Sequence, residues 1–260
     1  MTPDSSWYDI RLATTAEDLL SAQRLRYRVF VSELGGDGAM VDHQAGLERD
    51  EFDEVVDHLV LVDRRRDPAT LDHVVGVYRL MPGDRARAFG RFYCDSEYDL
   101  SRLKACGRSL LELGRSCVDP THRGGSGMYL LWNALADYVQ VNRIEILFGV
   151  ASFHGTDLAP LAPALSLLHH NHLAPAAIRP TALPQGYRAM DLIPDADLDR
   201  RQALRSMPAL IKAYLRLGGV VGEGAFLDQA FNTTDVLLLM DTQAMSDHHR
   251  RFYEVRGTEP

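Results

Sequence analysis

Residues 111–141, LELGRSCVDPTHRGGSGMYLLWNALADYVQV, hold the strongest structural signal in the chain. Leu111–Val118 reads as a β-strand that Pro120 brings to an end. A glycine-rich turn follows at 121–127, and the helical spacing of the apolar residues after it predicts a helix over 128–141. Backbone N–H groups at the start of such a helix favour an anion, although the turn matches neither the dinucleotide-binding nor the Walker pattern.

Two charged residues, Glu112 and Arg115, interrupt this otherwise apolar strand. A charge among apolar strand residues is costly unless it is paired or functional. Residues three apart point to opposite faces of a regular strand, so a β-bulge near Gly114 would be needed to bring both to one face. We therefore predict a bulged strand at this point.

A second concentration of charge lies upstream, where Glu48, Asp50 and Asp53 follow one another closely. Carboxylates at this density can bind a cationic substrate or a metal ion, or they can form a solvated loop. The residues themselves leave these three interpretations open.

Strands and helices alternate along the rest of the chain. A capping box at Thr14–Glu17 predicts a helix that runs through Phe30 and ends near Gly35. Further strands are predicted over 8–12, 58–63, 74–81, 144–151, 187–193 and 235–240, and further helices over 157–169 and 208–217, with 82–108 irregular. This order predicts a mixed α/β fold in one domain, 1–260, with a core over about 8–195 and a C-terminal extension over about 200–245.

Composition excludes several classes of protein. The chain has 260 residues, and 28 Lys and Arg against 36 Asp and Glu give a net charge of −8, which argues against nucleic-acid binding. Three cysteines without a C-x-x-C pair, and histidines at 169–172 without a ligand spacing, predict no disulfide framework and no metal site. We recognise no signal peptide and no apolar run of transmembrane length, so we expect a cytoplasmic protein.

These features together resemble the GNAT N-acyltransferases, in which a bulged strand, a turn rich in Arg and Gly and a helix bind the acyl donor. The signature of the acyl-homoserine-lactone synthases, which are GNAT-fold enzymes, resembles Arg26-Tyr27-Arg28-Val29-Phe30, Glu48-x-Asp50-x-x-Asp53, Arg79-Leu80 and Glu112-x-x-Arg115. The resemblance implies a mostly antiparallel central sheet with a splayed, bulged strand, flanked by helices and followed by a C-terminal α/β extension.

A second resemblance, to the L-ornithine N-acyltransferases of ornithine-lipid synthesis, covers about residues 8–240. It rests on separated blocks in the same order: Leu25–Phe30, Asp57-His58-Leu59, Leu113–Val118, Leu130-Leu131-Trp132, Leu210–Gly218 and Phe231–Val236. The resemblance implies an enzyme that transfers a 3-hydroxyacyl group from acyl carrier protein to the α-amine of L-ornithine, which gives a lyso-ornithine lipid.

The resemblance also implies roles for individual residues. Glu112 and Glu48 would be catalytic, with Glu112 as the base that takes a proton from the amine. Substrate binding would fall to Arg26, Phe30, Asp50, Asp53, Arg79 and Arg115. The phosphopantetheine of the donor would be bound by Cys117, Val118, Arg123, Gly124, Gly125 and Gly127. No metal or bound cofactor is implied, because the acyl-carrier-protein thioester is a substrate.

The implied partners are acyl carrier protein and L-ornithine, and contact with the inner face of the membrane is left open. An acidic carrier protein requires a basic docking surface, for which the candidates are Arg85, Arg87, Arg91, Arg102, Lys104 and Arg108. The alternatives are N-acylation of another amino acid, acyl-homoserine-lactone synthesis and non-catalytic binding of an acyl chain. Residues 33–40, ELGGDGAM, lack the tryptophan of the lactone synthases, which disfavours lactone synthesis.

Overall fold

The computed structural model of the protein describes residues 7–124 and 127–243. Its strands are β1 (Tyr8–Leu12), β2 (Asp57–Asp63), β3 (Val74–Pro82), β4 (Tyr98–Asp99), β5 (Leu110–Val118), β6 (Ile146–His154), β7 (Thr181–Ala182), β8 (Tyr187–Arg188), β9 (Val220–Val221), β10 (Ala225–Asp228) and β11 (Thr233–Asp241). Its α-helices are α1 (Ala16–Arg26), α2 (Gly83–Phe89), α3 (Ser101–Ala105), α4 (Gly127–Val141), α5 (Ala162–His172), α6 (Arg200–Ser206) and α7 (Ala209–Arg216). The predicted mixed α/β fold is confirmed.

The chain divides into two compact units. The first takes in the described residues up to Phe89 together with Glu112–Arg143. Its sheet has the order β1-β2-β3-β5, and β2 is antiparallel to both β1 and β3.

A helix covers each face of this sheet. On one face, Leu25 of α1 packs in a core that includes Val60 and Val77, which are cross-strand partners. The next pair of residues along β2 and β3 points to the opposite face, where Leu131 of α4 approaches Gly76. Because both faces are covered, β2 and β3 are almost wholly buried, which explains their continuous apolar sequences.

The second unit takes in Gly90–Leu111 and the described residues from Ile144 onward. Its main sheet has the order β6-β11-β10-β8, with β9 paired to β11, and β4 and β7 form a separate pair. β11 is antiparallel to β6 from Thr233, opposite His154, to Asp241, opposite Ile146. The predicted extension over about 200–245 contributes α6, α7 and β9–β11 to this unit, and its packing on a single domain core stays a prediction.

The first helix differs from its prediction at both ends. The Thr15 hydroxyl accepts a hydrogen bond from the Asp18 amide at 3.1 Å, so Thr15 is the N-cap, and the predicted capping box that starts at Thr14 is wrong. α-Helical bonding ends at Arg26, and Tyr27–Glu33 continues as a π-helix. π-Helical segments are rare and are frequent at functional sites.

Other predictions failed where tertiary contacts take over from local pattern. The strand predicted over 187–193 shrinks to β8, because the amides of Leu192 and Ile193 donate to the Ser166 hydroxyl and not to a neighbouring strand. The helix predicted from residue 157 begins at Ala162, since the Asp157 side chain closes a turn first. The segment 82–108 is not irregular, because it contains α2, β4 and α3.

In the described part of the chain, no helix is both long and apolar enough to cross a bilayer.

Gly76 is required by the close approach of α4. A Cβ atom there would lie 2.8 Å from Leu131 Cδ1 and 3.2 Å from Leu61 Cβ. We expect Gly76→Ala to lower the free energy of unfolding by about 1–3 kcal/mol through overpacking, as measured by urea denaturation. In a Leu131→Ala background the same substitution should cost less, because the nearest clashing atom is gone. Equal costs in both backgrounds would show that the contact with α4 does not require glycine.

Candidate active site

Six charged side chains of the first unit form a closed ring, here called the charge ring. Each of its three carboxylates binds two of its three arginines. Glu48 bridges Arg26 and Arg115, Asp50 bridges Arg115 and Arg79, and Asp53 bridges Arg79 and Arg26. The structure thus brings together six of the eight residues predicted to be catalytic or substrate-binding.

The contacts within the charge ring differ in number and length. Arg26 donates to both oxygens of Asp53, at 2.7 and 3.1 Å, and to Glu48 through Nε. Arg79 Nη1 donates to Asp50 at 2.5 Å and to Asp53 at 3.2 Å. Arg115 donates to Glu48 from Nε at 3.0 Å and to Asp50 from Nη2 at 3.2 Å.

Four separate chain segments supply the charge ring. Arg26 is the last residue of α1, and Asp50 caps a short 3₁₀ turn by accepting from the Phe52 amide at 3.0 Å. Arg79 lies two residues from Val77 in β3, so both point to the sheet face that α1 covers. Arg115 comes from β5.

The backbone of β5 is irregular where Arg115 joins the ring. Arg115 has a φ of 47°, a left-handed conformation that is costly for a residue with a side chain. The predicted irregularity near Gly114 therefore falls one residue later, on the arginine itself. Contacts with Glu48 and Asp50 supply the interactions that hold this conformation.

The charge ring is electrically neutral. Burial alone would favour the uncharged acids, but the neighbouring guanidinium groups outweigh it, so the pKa values of Glu48, Asp50 and Asp53 lie below their usual range. Burial likewise opposes the charge on Arg26, yet Glu48 and Asp53 raise its pKa. Three ionised carboxylates balance three arginines, which always carry a charge.

Two polar residues beside the charge ring were not among the predicted site residues. Gln23 donates to Asp53 Oδ2 at 3.0 Å, and His58 Nε2 lies 3.0 Å from the Asp53 carbonyl oxygen. Burial lowers the pKa of His58, which keeps the imidazole neutral near pH 7. His58 lies opposite Arg79 in the β2–β3 register, which the sequence alone does not reveal.

The remaining predicted catalytic and substrate residues are Glu112 and Phe30. Glu112 is buried in β5, three residues before Arg115. Phe30 lies in the π-helix and packs, partly buried, against the apolar core under α1. Their predicted roles in catalysis and substrate binding stay predictions.

The predicted donor-binding residues lie at the end of β5 and in the turn that follows. Cys117 is buried in the core under α1, whereas Val118 lies close to Gly127, the first residue of α4. Arg123 donates to the Val118 carbonyl at 3.0 Å and pairs with Glu33 at 2.6 and 2.7 Å. Gly124 has a φ of 75°. Gly125, also predicted to bind the donor, lies outside the described residues.

A separate group of acids lies in the second unit. Among the described residues, Glu97, Asp228 and Asp235 bring one carboxylate oxygen each within 4.8 Å of the others, a spacing that a metal ion could bridge. Acidic groups at this spacing also occur without a metal. The prediction that the protein has no metal site therefore stays a prediction.

Comparison with known proteins defines the class to which this fold belongs. The sequence model of the acetyltransferase (GNAT) domain matches residues 25–133. The fold is similar to that of FeeM, an N-acyl amino acid synthase from uncultured soil microbes, with a TM-score of 0.55 and 12% identity over 91% of this chain and 92% of that one. It is also similar to BjaI, a CoA-dependent acyl-homoserine lactone synthase, with a TM-score of 0.50 and 16% identity over 94% and 89%. The protein has the GNAT acyltransferase fold.

Two relatives narrow the class to a family. The chain is 63% identical to the L-ornithine N(alpha)-acyltransferase of Rhodobacter capsulatus over 96% of its own length and 95% of the relative. It is 40% identical to the L-ornithine N(alpha)-acyltransferase of Brucella abortus over 94% and 88%. The chain belongs to the family of L-ornithine N(alpha)-acyltransferases.

Loss of one arginine tests how far the first unit depends on the charge ring. Arg26→Gln leaves Glu48 and Asp53 buried with one arginine each. We expect the free energy of unfolding to fall by about 3–5 kcal/mol, as measured by urea denaturation.

The matched control is Arg49→Gln, because Arg49 pairs with Asp42 at the surface. This control should change the stability by less than about 1 kcal/mol. If the two substitutions cost the same, the charge ring does not stabilise the unit.

Proposed function

We propose that this chain transfers a 3-hydroxyacyl group from acyl carrier protein to the α-amine of L-ornithine, the first step of ornithine-lipid synthesis. The observation that carries the proposal is its 63% identity, over nearly the full length, to a protein named L-ornithine N(alpha)-acyltransferase. The charge ring supports it, because guanidinium and carboxylate groups together match an amino acid that carries a carboxylate and two amines.

The proposed reaction includes two proton transfers, one from the attacking amine and one to the departing thiolate. The α-amine nitrogen attacks the thioester carbonyl carbon, so a C–N bond forms and the C–S bond breaks. The attacking nitrogen loses a proton to a base, and the departing phosphopantetheine thiolate takes up a proton. Backbone N–H groups directed at the carbonyl oxygen would stabilise the charge that develops there. The irregular segment 115–118 of β5 is our candidate for these donors.

Glu112 is the better of the two predicted catalytic acids for the role of base. Both oxygens of Glu48 accept hydrogen bonds from arginines, and the pKa of Glu48 is lowered, so this carboxylate is a poor proton acceptor. Glu112 lies in the same strand as the proposed N–H donors. We assign the base to Glu112 and a positioning role to Glu48.

Cys117 favours direct attack by the amine over an acyl-cysteine intermediate. Burial raises the pKa of its thiol to about 12, so the sulfur stays protonated near neutral pH. A protonated, buried thiol is a poor nucleophile. We therefore limit the predicted donor-binding role of Cys117 to its backbone.

We assign the phosphodiester of the donor to the start of α4. A Cβ atom at Gly127 would lie 3.1 Å from Leu61 Cδ2, so glycine lets this helix end approach the sheet. N–H groups at a helix start favour an anion. Arg123, which is held by Glu33 and by the Val118 carbonyl, adds a positive charge to the same turn.

Three of the six residues predicted to dock an acidic carrier protein are paired with carboxylates, whereas Arg87 and Arg102 form no ion pair within the described residues and stay candidates. Of that set, Arg85 pairs with Asp57 at 2.7 Å, Lys104 with Asp95 at 2.6 Å and Arg108 with Asp241 at 2.6 Å. The stretch 200–222, in contrast, contains cations and no acidic residue. Within the described residues, four of these cations form no ion pair: Arg201, Arg205, Lys212 and Arg216. We propose this stretch as the docking surface.

Product analysis tests the proposed function and the donor together. Purified protein is incubated with an equimolar mixture of amino acids and either 3-hydroxyacyl-loaded carrier protein or the matching coenzyme A thioester. We expect N-α-(3-hydroxyacyl)ornithine as the main product, with the carrier-protein thioester preferred and its KM rising with ionic strength. A different acylated amino acid would replace ornithine as the substrate. Retention of the acyl chain without product would favour a binding protein.

Glu112→Gln tests the base. The substitution keeps the size of the side chain but removes the proton acceptor, so kcat should fall by about 100-fold to 10,000-fold. The control is Glu54→Gln, the same change at an exposed position of the first unit, which should leave kcat unchanged. A Glu112→Gln protein with the melting temperature and the kcat of the wild type would remove Glu112 from the mechanism.

A further inference from the structure

The members of the charge ring are not equally buried. The side chains of Arg26, Glu48, Arg79 and Asp53 are 0%, 2%, 4% and 5% exposed. Those of Arg115 and Asp50 are 13% and 17% exposed. The link between Arg115 and Asp50 is therefore the least buried edge of the charge ring.

This link can also open without leaving a buried charge alone. Arg115 touches Asp50 through one contact of 3.2 Å and remains bound to Glu48 through Nε. Asp50 remains bound to Arg79 at 2.5 Å when the link is broken. In contrast, Arg26 and Asp53 share two hydrogen bonds in a site closed to solvent. Separating one of these more deeply buried pairs would cost more free energy, because solvent does not reach the charges that would be parted.

A basic amino acid carries the charges that would be exposed when this link opens. Its α-carboxylate can take the place of Asp50 on Arg115, and its side-chain ammonium can take the place of Arg115 on Asp50. The exchange breaks one ion pair and forms two, and the bound carboxylate and side-chain ammonium together add no net charge to the ring. Arginine suits a carboxylate because its planar fork of N–H groups matches two oxygens.

We propose that the Arg115–Asp50 link is the amino-acid binding site, with Arg115 for the α-carboxylate and Asp50 for the side-chain ammonium. This inference rests on the proposed function, and within the predicted substrate-binding residues it assigns the α-carboxylate to Arg115 and not to the more deeply buried Arg26 or Arg79.

The proposed orientation explains why the α-amine would be the one acylated. A carboxylate on Arg115 holds the adjacent α-amine beside β5, the strand that carries Glu112. The side-chain amine is held at Asp50 as an ammonium ion, which has no lone pair for attack. Asp50 therefore both selects a basic amino acid and protects its second amine.

Three acceptor compounds test the proposed carboxylate-binding and ammonium-binding residues separately. Ornithine carries both groups, norvaline lacks the side-chain amine, and 1,4-diaminobutane lacks the carboxylate. We expect Asp50→Asn to lower kcat/KM for ornithine by about 10- to 100-fold more than it lowers kcat/KM for norvaline, the worth of one charged hydrogen bond. We expect Arg115→Gln to lower kcat/KM for ornithine and norvaline by a similar factor more than it lowers kcat/KM for 1,4-diaminobutane.

The choice of the nitrogen that is acylated gives a second readout, which would not change if Asp50 had only a structural role. Asp50→Asn should produce ornithine acylated on the side-chain nitrogen, which fragmentation mass spectrometry distinguishes from the α-linked product. Asp42→Asn is the matched control, since Asp42 forms a surface pair with Arg49, and it should change neither selectivity nor linkage.

The wild-type protein supplies a test that does not depend on a variant that folds. Ligands that bind the native state raise the melting temperature. Ornithine should raise it more than norvaline or 1,4-diaminobutane does at equal concentration.

The outcomes separate this inference from the proposed function. A wild-type protein that acylates none of the three acceptors overturns the proposed function and this inference with it. A wild-type protein that acylates ornithine, while Asp50→Asn keeps the full preference for ornithine over norvaline and the α-linkage, overturns this inference alone. Equal melting-temperature shifts with all three compounds would also overturn it.

Discussion

Buried charge that must be neutralised is the constraint on which the first unit of this protein depends. Three arginines and three carboxylates on one face of the sheet satisfy one another in a closed ring, and no member can be removed without leaving an uncompensated charge. The charge ring joins the end of α1, the acidic segment 48–53, β3 and β5. Hydrophobic burial brings these segments together, but directional contacts decide where their polar residues lie. The left-handed backbone of Arg115 is maintained by the same contacts.

A neutral ring is well suited to an enzyme whose acceptor has charges of both signs. Because the ring already contains the partners for a carboxylate and for an ammonium, an amino acid can enter at Arg115 and Asp50 without creating an unpaired charge. β5 would then serve both substrates. Its middle carries the proposed acceptor site and base, and it leads directly to the glycine-rich turn at α4, which we assign to the donor. The unit would thus align amine and thioester along one strand, which is the arrangement that positioning effects require.

Predictions from sequence succeeded where one local signal dominated. β2 and β3 were found because strands buried on both faces are continuous apolar runs, and α4 because its apolar residues recur at helical spacing. They failed where a distant partner intervened. Ser166 of α5 takes the amides of Leu192 and Ile193, so that an apolar segment never pairs as a strand. The π-helical continuation after Arg26 has no recognisable signal in the residues Tyr27–Glu33.

The sequence contains the charged residues of the candidate site, but it does not show which of them form ion pairs with one another. Sequence alone determined the mixed α/β class, the turn at the start of α4 and the identity of the six charged residues, because motif spacing and family resemblance are local in the chain. Only the tertiary structure decided that those residues form one closed ring, that Gln23 and His58 lie beside it, and that Arg115 and Asp50 form its least buried edge. Ion pairs between residues 22 to 67 positions apart depend on how the sheet and α1 pack, and no local pattern encodes that.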